Sequence, residues 1–240
     1  MQASLTGGRM PREPVVLSWS GGKDSSLALA ALRADPAYEV VALLTSVTRD
    51  YERVSMHGVR RELVDAQAAS VGHPLFDVEI EPRSSNDAYE AAFLDGLSRV
   101  RATYPAVRRV AFGDLVLADV RAYRERLLGP TDVEPLFPLW GRDTVGLAQD
   151  FIAAGFRATL VCVDTQQLGE SFAGRDFDRH LLADLPASVD PCGERGEFHT
   201  FVSAGPVYST PIPVRAGEVV LRDERFAYCD LLPDTAASTR

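Results

Sequence analysis

The sequence predicts an α/β protein, a parallel sheet sandwiched by helices, followed by a smaller C-terminal α+β domain. Three observations lead there. Short apolar runs alternate with helical patterns through the first two-thirds of the 240 residues, and such alternation marks right-handed βαβ crossovers onto a parallel sheet. The first run, Val15-Val16-Leu17, has no polar alternation, which suits a strand buried on both faces. From Pro186 onward the chain becomes rich in Pro, Gly and charge and then alternates with period two. We therefore expect an arm over 1–13, a first domain over 14–140, a second over 141–232 and a tail over 233–240.

The elements follow in order. After the strand at Val15–Leu17, the Ala and Leu of 26–32 favour a helix, with Asp24, Ser25 or Ser26 able to cap it. Tyr38 to Val47 is a second strand, and Ser55 to Val71 carries a helical pattern opened by Met56-His57-Gly58. Leu75 to Ile80 follows Pro74 as a third strand. Asn86 to Tyr104 is a long amphipathic helix, with Ala91, Ala92, Leu94, Leu97 and Val100 on related faces. Val107 to Phe112 is a fourth strand, ended by Gly113-Asp114. Helices are expected over Leu117–Leu128 and Asp143–Ala154, the second capped by Asp143, and a fifth strand over Ala158–Val163. Phe198 to Val202 is a further strand, and Ile212 to Leu232 a hairpin turning near Arg222-Asp223-Glu224.

Composition narrows the function classes. The 25 basic and 34 acidic residues leave a net charge of −9, which argues against a broad nucleic-acid footprint. No run of apolar residues is long enough to span a membrane, and the first 13 residues hold no apolar signal-peptide core. Cys162, Cys192 and Cys229 are far apart and odd in number, without a Cys-x-x-Cys pair. That fits a reduced, cytoplasmic protein rather than a disulfide frame or zinc knuckle. No feature specifies a partner face; a homodimer through helices or sheet edges stays open.

The chemistry concentrates at the first turn. Between the strand and the helix lie Ser18, Ser20, Gly21, Gly22, Lys23, Asp24 and Ser25. Glycines let the backbone turn sharply and bring bare N–H groups to a ligand. A helix N-terminus fed by such a turn attracts anions, and Lys23 adds a full charge, so a phosphate chain is the natural ligand. The Walker A spacing fails, because Lys23 is followed by Asp24 and the position five before Gly22 is Leu17. The dinucleotide Gly-x-Gly-x-x-Gly pattern fails too. Ser20-Gly21-Gly22-Lys23-Asp24-Ser25 instead resembles the pyrophosphate loop of the ATP pyrophosphatases, which carry Ser-Gly-Gly-x-Asp-Ser after the first strand and cleave ATP between its α- and β-phosphates.

Ligands of open α/β sheets sit off the carboxyl ends of the strands. After the second strand come Thr45, Ser46, Thr48 and Arg49, where backbone groups could meet an adenine edge; a plain polar strand end is the bland alternative. His57 follows toward the same crevice, and a structural histidine is the ordinary reading of it. After the fourth strand come Gly113 and Asp114, and a carboxylate facing a phosphate site points to Mg²⁺, with Asp24 as the other ligand. Arg121 and Arg124 share a helix face. They could clamp phosphates or lie solvated. The densest polar stretch is Asp190-Pro191-Cys192-Gly193-Glu194-Arg195-Gly196-Glu197-Phe198-His199-Thr200. Loops of this kind bind or catalyse. A metal on Cys192, Glu194, Glu197 and His199 is conceivable, and recognition of a polar substrate is the better reading.

Those residues, together with Phe112-Gly113-Asp114, Pro138-Leu139-Trp140 and Gly155-Phe156-Arg157-Ala158, make the chain similar to the diphthine–ammonia ligase family over about 14–210. The resemblance implies a Rossmann-like fold of the adenine nucleotide α-hydrolase type, a nucleotide domain followed by a substrate domain, and ATP-dependent amidation. A substrate carboxylate would attack the α-phosphate, and ammonia would displace AMP from the acyl-adenylate. In eukaryotic and archaeal members the acid is diphthine, a modified histidine on translation elongation factor 2, and so is protein-borne. The resemblance implies ATP on Ser18, Ser20–Ser25, Thr45, Ser46, His57, Gly113, Asp114, Arg121 and Arg124, with Mg²⁺ on Asp24 and Asp114. Lys23, Asp24, Glu194, Glu197 and His199 would be catalytic, the last three orienting the acid or the ammonia. The chain ends before the extra C-terminal domains of the eukaryotic enzymes. Its Ala-, Arg- and Leu-rich composition suggests a bacterial genome, where the acid would differ. Two rivals remain at this point: another pyrophosphate-loop enzyme, such as a tRNA-modifying one, and an adenine-nucleotide sensor without turnover.

Overall fold

A short hydrophobic strand, β1 (Glu13–Ser18), lies at the centre of the larger sheet because three of its side chains, Val15, Val16 and Leu17, have no solvent exposure. The computed structural model describes residues 11–48, 53–54, 58–82 and 84–234. The elements that follow are α1 (Lys23–Ala34), β2 (Tyr38–Thr48), β3 (Arg53–Val54), α2 (Arg61–Val71), β4 (Leu75–Ile80) and α3 (Asn86–Thr103). Then come β5 (Arg109–Ala111), α4 (Ala118–Leu128), β6 (Glu134–Leu136) and α5 (Thr144–Ala153). The chain closes with β7 (Arg157–Asp164), α6 (Arg179–Asp184), β8 (Phe198–Ala204), β9 (Val214–Arg222) and β10 (Phe226–Pro233).

Five strands pair in parallel in the order β4-β2-β1-β5-β6, and β3 adds an antiparallel pair at the far end of β2. Successive strands run outward from β1 to β2 and β4, and then the chain returns to the other side of β1 for β5. That reversal is a topological switch point, and it opens a crevice between the carboxyl ends of β1 and β5. A second, antiparallel sheet has the order β8-β7-β10-β9. One face of the parallel sheet packs Val16, Leu44, Phe93, Leu97 and Phe112 into a core of its own. The other face joins Val15, Leu17 and Leu29 to Phe151, Phe198 and Phe201 in a core that runs into the second sheet.

The fold class stands as expected, and several details differ. The fifth parallel strand is β6, a three-residue strand containing Pro135. The segment over 157–164 belongs instead to the antiparallel sheet, between β8 and β10. Helix α2 begins at Arg61, because Gly58 sits at φ 64° and Arg60 is extended. Helix α1 begins at Lys23, three residues before the expected run, and no side chain of its own caps it. Asp143 caps α5 as expected, accepting the Gly146 N–H at 2.7 Å. Among the described residues, no helix is long and apolar enough to cross a membrane.

Candidate active site

The turn after β1 is built by three elements. Gly21 takes φ 76°, and a Cβ there would meet Gln67 Oε1 at 2.5 Å, so both the conformation and the space demand glycine. Gln67 projects from α2 with no solvent exposure. Its amide donates to Gly21 O at 2.9 Å and to Val202 O at 2.6 Å, while its Oε1 accepts the Trp19 indole N–H at 3.1 Å. Strand β8 finishes the turn: Val202 N–H donates to Gly21 O at 2.9 Å. Thr200 Oγ1 accepts the Lys23 N–H at 3.0 Å, which supplies from the second sheet the cap that α1 lacks. Ser20 Oγ accepts the Gly22 N–H at 3.2 Å, and Ser25 donates to Gly22 O at 2.9 Å. Ser18 ends β1 half-buried beneath this turn.

Lys23 is 3% exposed, and its Nζ donates to Asp24 Oδ2 at 2.9 Å. Burial pulls the Lys23 ammonium down, but Asp24 and Glu194 outweigh it and leave the group more basic than usual. Burial raises the Asp24 carboxyl against the pull of Lys23, and Asp24 Oδ1 is buried without a partner. Gly113 lies against this helix start, since a Cβ on it would meet the Asp24 carbonyl carbon at 2.9 Å. Only glycine lets the loop after β5 approach so closely. Asp114 follows it and accepts from Arg124 Nε at 3.4 Å.

The loop before β8 covers the helix start. Glu194 Oε2 accepts the Leu115 N–H at 3.3 Å. Burial first, and the charge of Asp24 second, push its carboxyl up to about 7. Glu194 lines a cavity of about 150 Å³ together with Lys23, Asp24, Cys192, Phe198 and His199. Cys192 donates its thiol to Thr144 O at 3.3 Å, and burial pushes it up to about 12.

Two expectations are corrected by this geometry, and one alternative is set aside. Glu197 is 1% exposed, and its two oxygens accept the Asp190 and Arg195 N–H groups, each at 2.8 Å. It shapes the loop and does not line the cavity. Arg121 and Arg124 leave the shared helix face by different routes: Arg121 stacks on Phe137 and Trp140 and pairs with Glu125, while Arg124 lies over Phe112 beside Asp114. They do not form one clamp. A metal centre on Cys192, Glu194, Glu197 and His199 does not form either. Among the described residues, no group of three or more His, Cys, Asp or Glu side chains could hold a metal ion.

Thr45 and Ser46 lie where β2 overruns β1, whose last pair is Ser18 with Leu44. Thr45 is fully buried, and its Oγ1 has no partner. His57 and Arg49 lie outside the described residues. Sequence reasoning missed Gln67 and the Leu115 N–H, and it named Thr200 within the polar stretch without its capping role. Gln67 carried one signal: it is the polar member of the Leu63, Val64, Ala68, Val71 face of α2.

Comparison with known proteins gives two family matches. Residues 13–129 match the diphthamide synthase N-terminal domain, and residues 143–231 match the diphthamide synthase C-terminal domain. A diphthine–ammonia ligase of Danio rerio is 28% identical over 242 residues, covering 92% of this chain and 94% of that protein. The Schizosaccharomyces pombe protein of the same name is 26% identical over 219 residues, covering 84% of this chain but 36% of its own length. Among solved structures, one titled as a predicted subunit of tRNA methyltransferase from Methanocaldococcus jannaschii aligns at 16% identity and a TM-score of 0.39, over 79% of this chain and 95% of that one.

Proposed function

This chain belongs to the diphthamide synthase family, and from that membership we propose that it is an ATP-dependent carboxylate–ammonia ligase. A carboxylate is a poor electrophile, so the reaction begins by giving it a leaving group. A carboxylate oxygen of the acid attacks the α-phosphorus of ATP, the bond to the bridging oxygen breaks, and pyrophosphate departs. The nitrogen of ammonia then attacks the acyl carbon, the C–O bond to AMP breaks, and the amide forms with loss of a proton.

The observation that carries this reading is the cradle at the switch point, where the capped start of α1, Lys23 and Asp24 meet Gly113 and Asp114 across the crevice. Pyrophosphate would rest on Ser20–Ser25, where backbone N–H groups and Lys23 meet the charge that develops as it leaves. Asp24 and Asp114 would hold Mg²⁺. The buried, unpartnered Asp24 Oδ1 supports that fit, and Mg²⁺ commonly takes only one or two protein carboxylates. When bound, Mg²⁺ would neutralise charge on the phosphate oxygens. Backbone groups of Thr45 and Ser46, where β2 runs past the end of β1, would meet the adenine edge. Arg124 would hold Asp114 in place. Glu194 and His199 would face the acid or the ammonia. We place the protein in the cytoplasm, a location to which its three buried free thiols are suited.

Diphthine is the acid named for the relatives and is the first to offer. The test incubates the protein with α-labelled ATP, Mg²⁺, ammonium and elongation factor 2 carrying diphthine. AMP and pyrophosphate should form together with amide, and Lys23→Ala and Asp24→Ala should abolish them without unfolding the chain. ADP and phosphate as products would overturn the reading.

A further inference from the structure

We infer that the cavity beneath the loop over 192–200 is the binding site for ammonium, with Glu194 as the side chain that positions it. The inference rests on the ligase reading and deepens it. Size is the first argument. At about 150 Å³ the cavity is about half the smallest of the ~300–1,000 Å³ pockets that take drug-sized ligands. It cannot hold a nucleotide, and it suits a group of a few atoms.

Charge is the second argument. Lys23 Nζ pairs with Asp24 Oδ2 at 2.9 Å, so the two charges offset each other in the cavity wall. The remaining charged wall is therefore Glu194, with Asp114 just beyond the Leu115 N–H that fixes Glu194 Oε2 at 3.3 Å. That bond leaves Oε1 as the oxygen available to the cavity. The other walls reinforce the preference: the Phe198 ring already lies 5.7 Å from one cation, Lys23 Nζ, and aromatic faces attract cations. Cys192 is a neutral thiol that donates elsewhere, to Thr144 O, so it competes with neither ion. A free phosphate would meet carboxylate there, whereas ammonium brings one positive charge and N–H donors in every direction.

Position is the third argument. The cavity is walled by the same helix start, Lys23 and Asp24, that forms the phosphate cradle. A nitrogen held there lies beside the place where the acyl-adenylate would form.

The test has a binding readout that needs no acid. The thermal midpoint of the full chain is followed against ammonium chloride and against tetramethylammonium chloride, at matched ionic strength and pH. Ammonium should stabilise the wild type in a concentration-dependent way, tetramethylammonium should not, and E194Q should lose the difference while E194D keeps part of it. Equal effects of the two salts on wild type, or an undiminished ammonium effect in E194Q, would overturn the site. A kinetic readout separates this from the ligase reading. In E194Q the KM for ammonium should rise about tenfold or more, as expected for loss of a charge-assisted contact, and by a larger factor than the KM for the acid. An unmoved KM sinks the site alone. Ammonium-specific stabilisation in a chain that never makes AMP keeps the site and sinks the ligase reading.

Discussion

Glu194 is held at a cost that depends on pH. Its carboxyl is pushed up to about 7 by burial and by Asp24, above the ordinary value near 4.3. Between those values the folded chain binds the proton more tightly than the unfolded chain does, so stability falls as pH rises from about 4.3 through 7. Glu194→Gln removes that penalty. The variant should melt at a higher temperature than wild type at pH 8, with the gain vanishing by about pH 4; a pH-independent difference would mean that ionisation of the buried carboxyl is not its cause. Gln67 makes the opposite case. Gln67→Ala would leave the Trp19 N–H and Val202 O buried and unpaired, at about 2–4 kcal/mol for the two, measurable by urea unfolding. The sequence made the phosphate turn legible because Gly, Lys and Asp at fixed spacing have few other uses. It left Gln67 illegible because its work is set by backbone groups far along the chain, and it misread Glu197 because a carboxylate that ties up its own loop's N–H groups looks, in sequence, like one offered to a ligand. Spacing likewise put Arg121 and Arg124 on one face, but only the tertiary contacts send one to Trp140 and the other to Asp114.

At the scale of elements, α1 and the β9–β10 hairpin show two ways of ending a segment. Helix α1 borrows its cap from β8, so Thr200→Val should cost about 1 kcal/mol and also weaken ATP binding, because it frees the helix start that would bear phosphate. The hairpin turns where the sequence placed it. Asp223 and Glu224 lie at φ 49° and 53°, and Arg225 N–H donates to Arg222 O at 3.0 Å. Both φ values are positive, as primed turns require. Left-handed backbone costs a non-glycine residue about 1–2 kcal/mol, of which glycine's looser unfolded state returns part. Glu224→Gly should therefore stabilise by about 0.5–1 kcal/mol, raising the thermal midpoint by about 1–4 °C, as calorimetry would show. Strand β6 escaped notice for a physical reason. It is three residues long, contains a proline, and pairs through only β5 at the sheet edge, where proline is tolerated.

The two sheets are joined by chemistry as well as by packing. The parallel sheet supplies the phosphate turn, and the antiparallel sheet and its β8–β9 connection supply what fixes it: Thr200 on Lys23 and Val202 on Gly21 from β8, and from the connection the Tyr208 hydroxyl, 2.8 Å from Ser26 Oγ. Apolar contacts run the same way, since Leu17 and Leu29 share one core with Phe151, Phe198 and Phe201. Alternating strands and helices made the first sheet readable, but the change of composition at Pro186 came after β7, the first strand of the second sheet. What the sequence could not give was their dependence on each other, because a boundary read from composition carries no information about which side chains cross it. The dependence has a consequence. A fragment ending at Trp140 would expose the large apolar side chains of that shared core and leave the α1 start uncapped. Apolar surface returned to water costs about 25 cal/mol per Å², against the 5–15 kcal/mol by which a typical domain is stable. The full chain should thus unfold in one cooperative transition by circular dichroism and by intrinsic fluorescence, and the fragment 1–140 should show neither that transition nor ATP binding. A fragment that melts sharply and binds ATP as the whole chain does would mean that the phosphate turn is stable without the sheet that caps it.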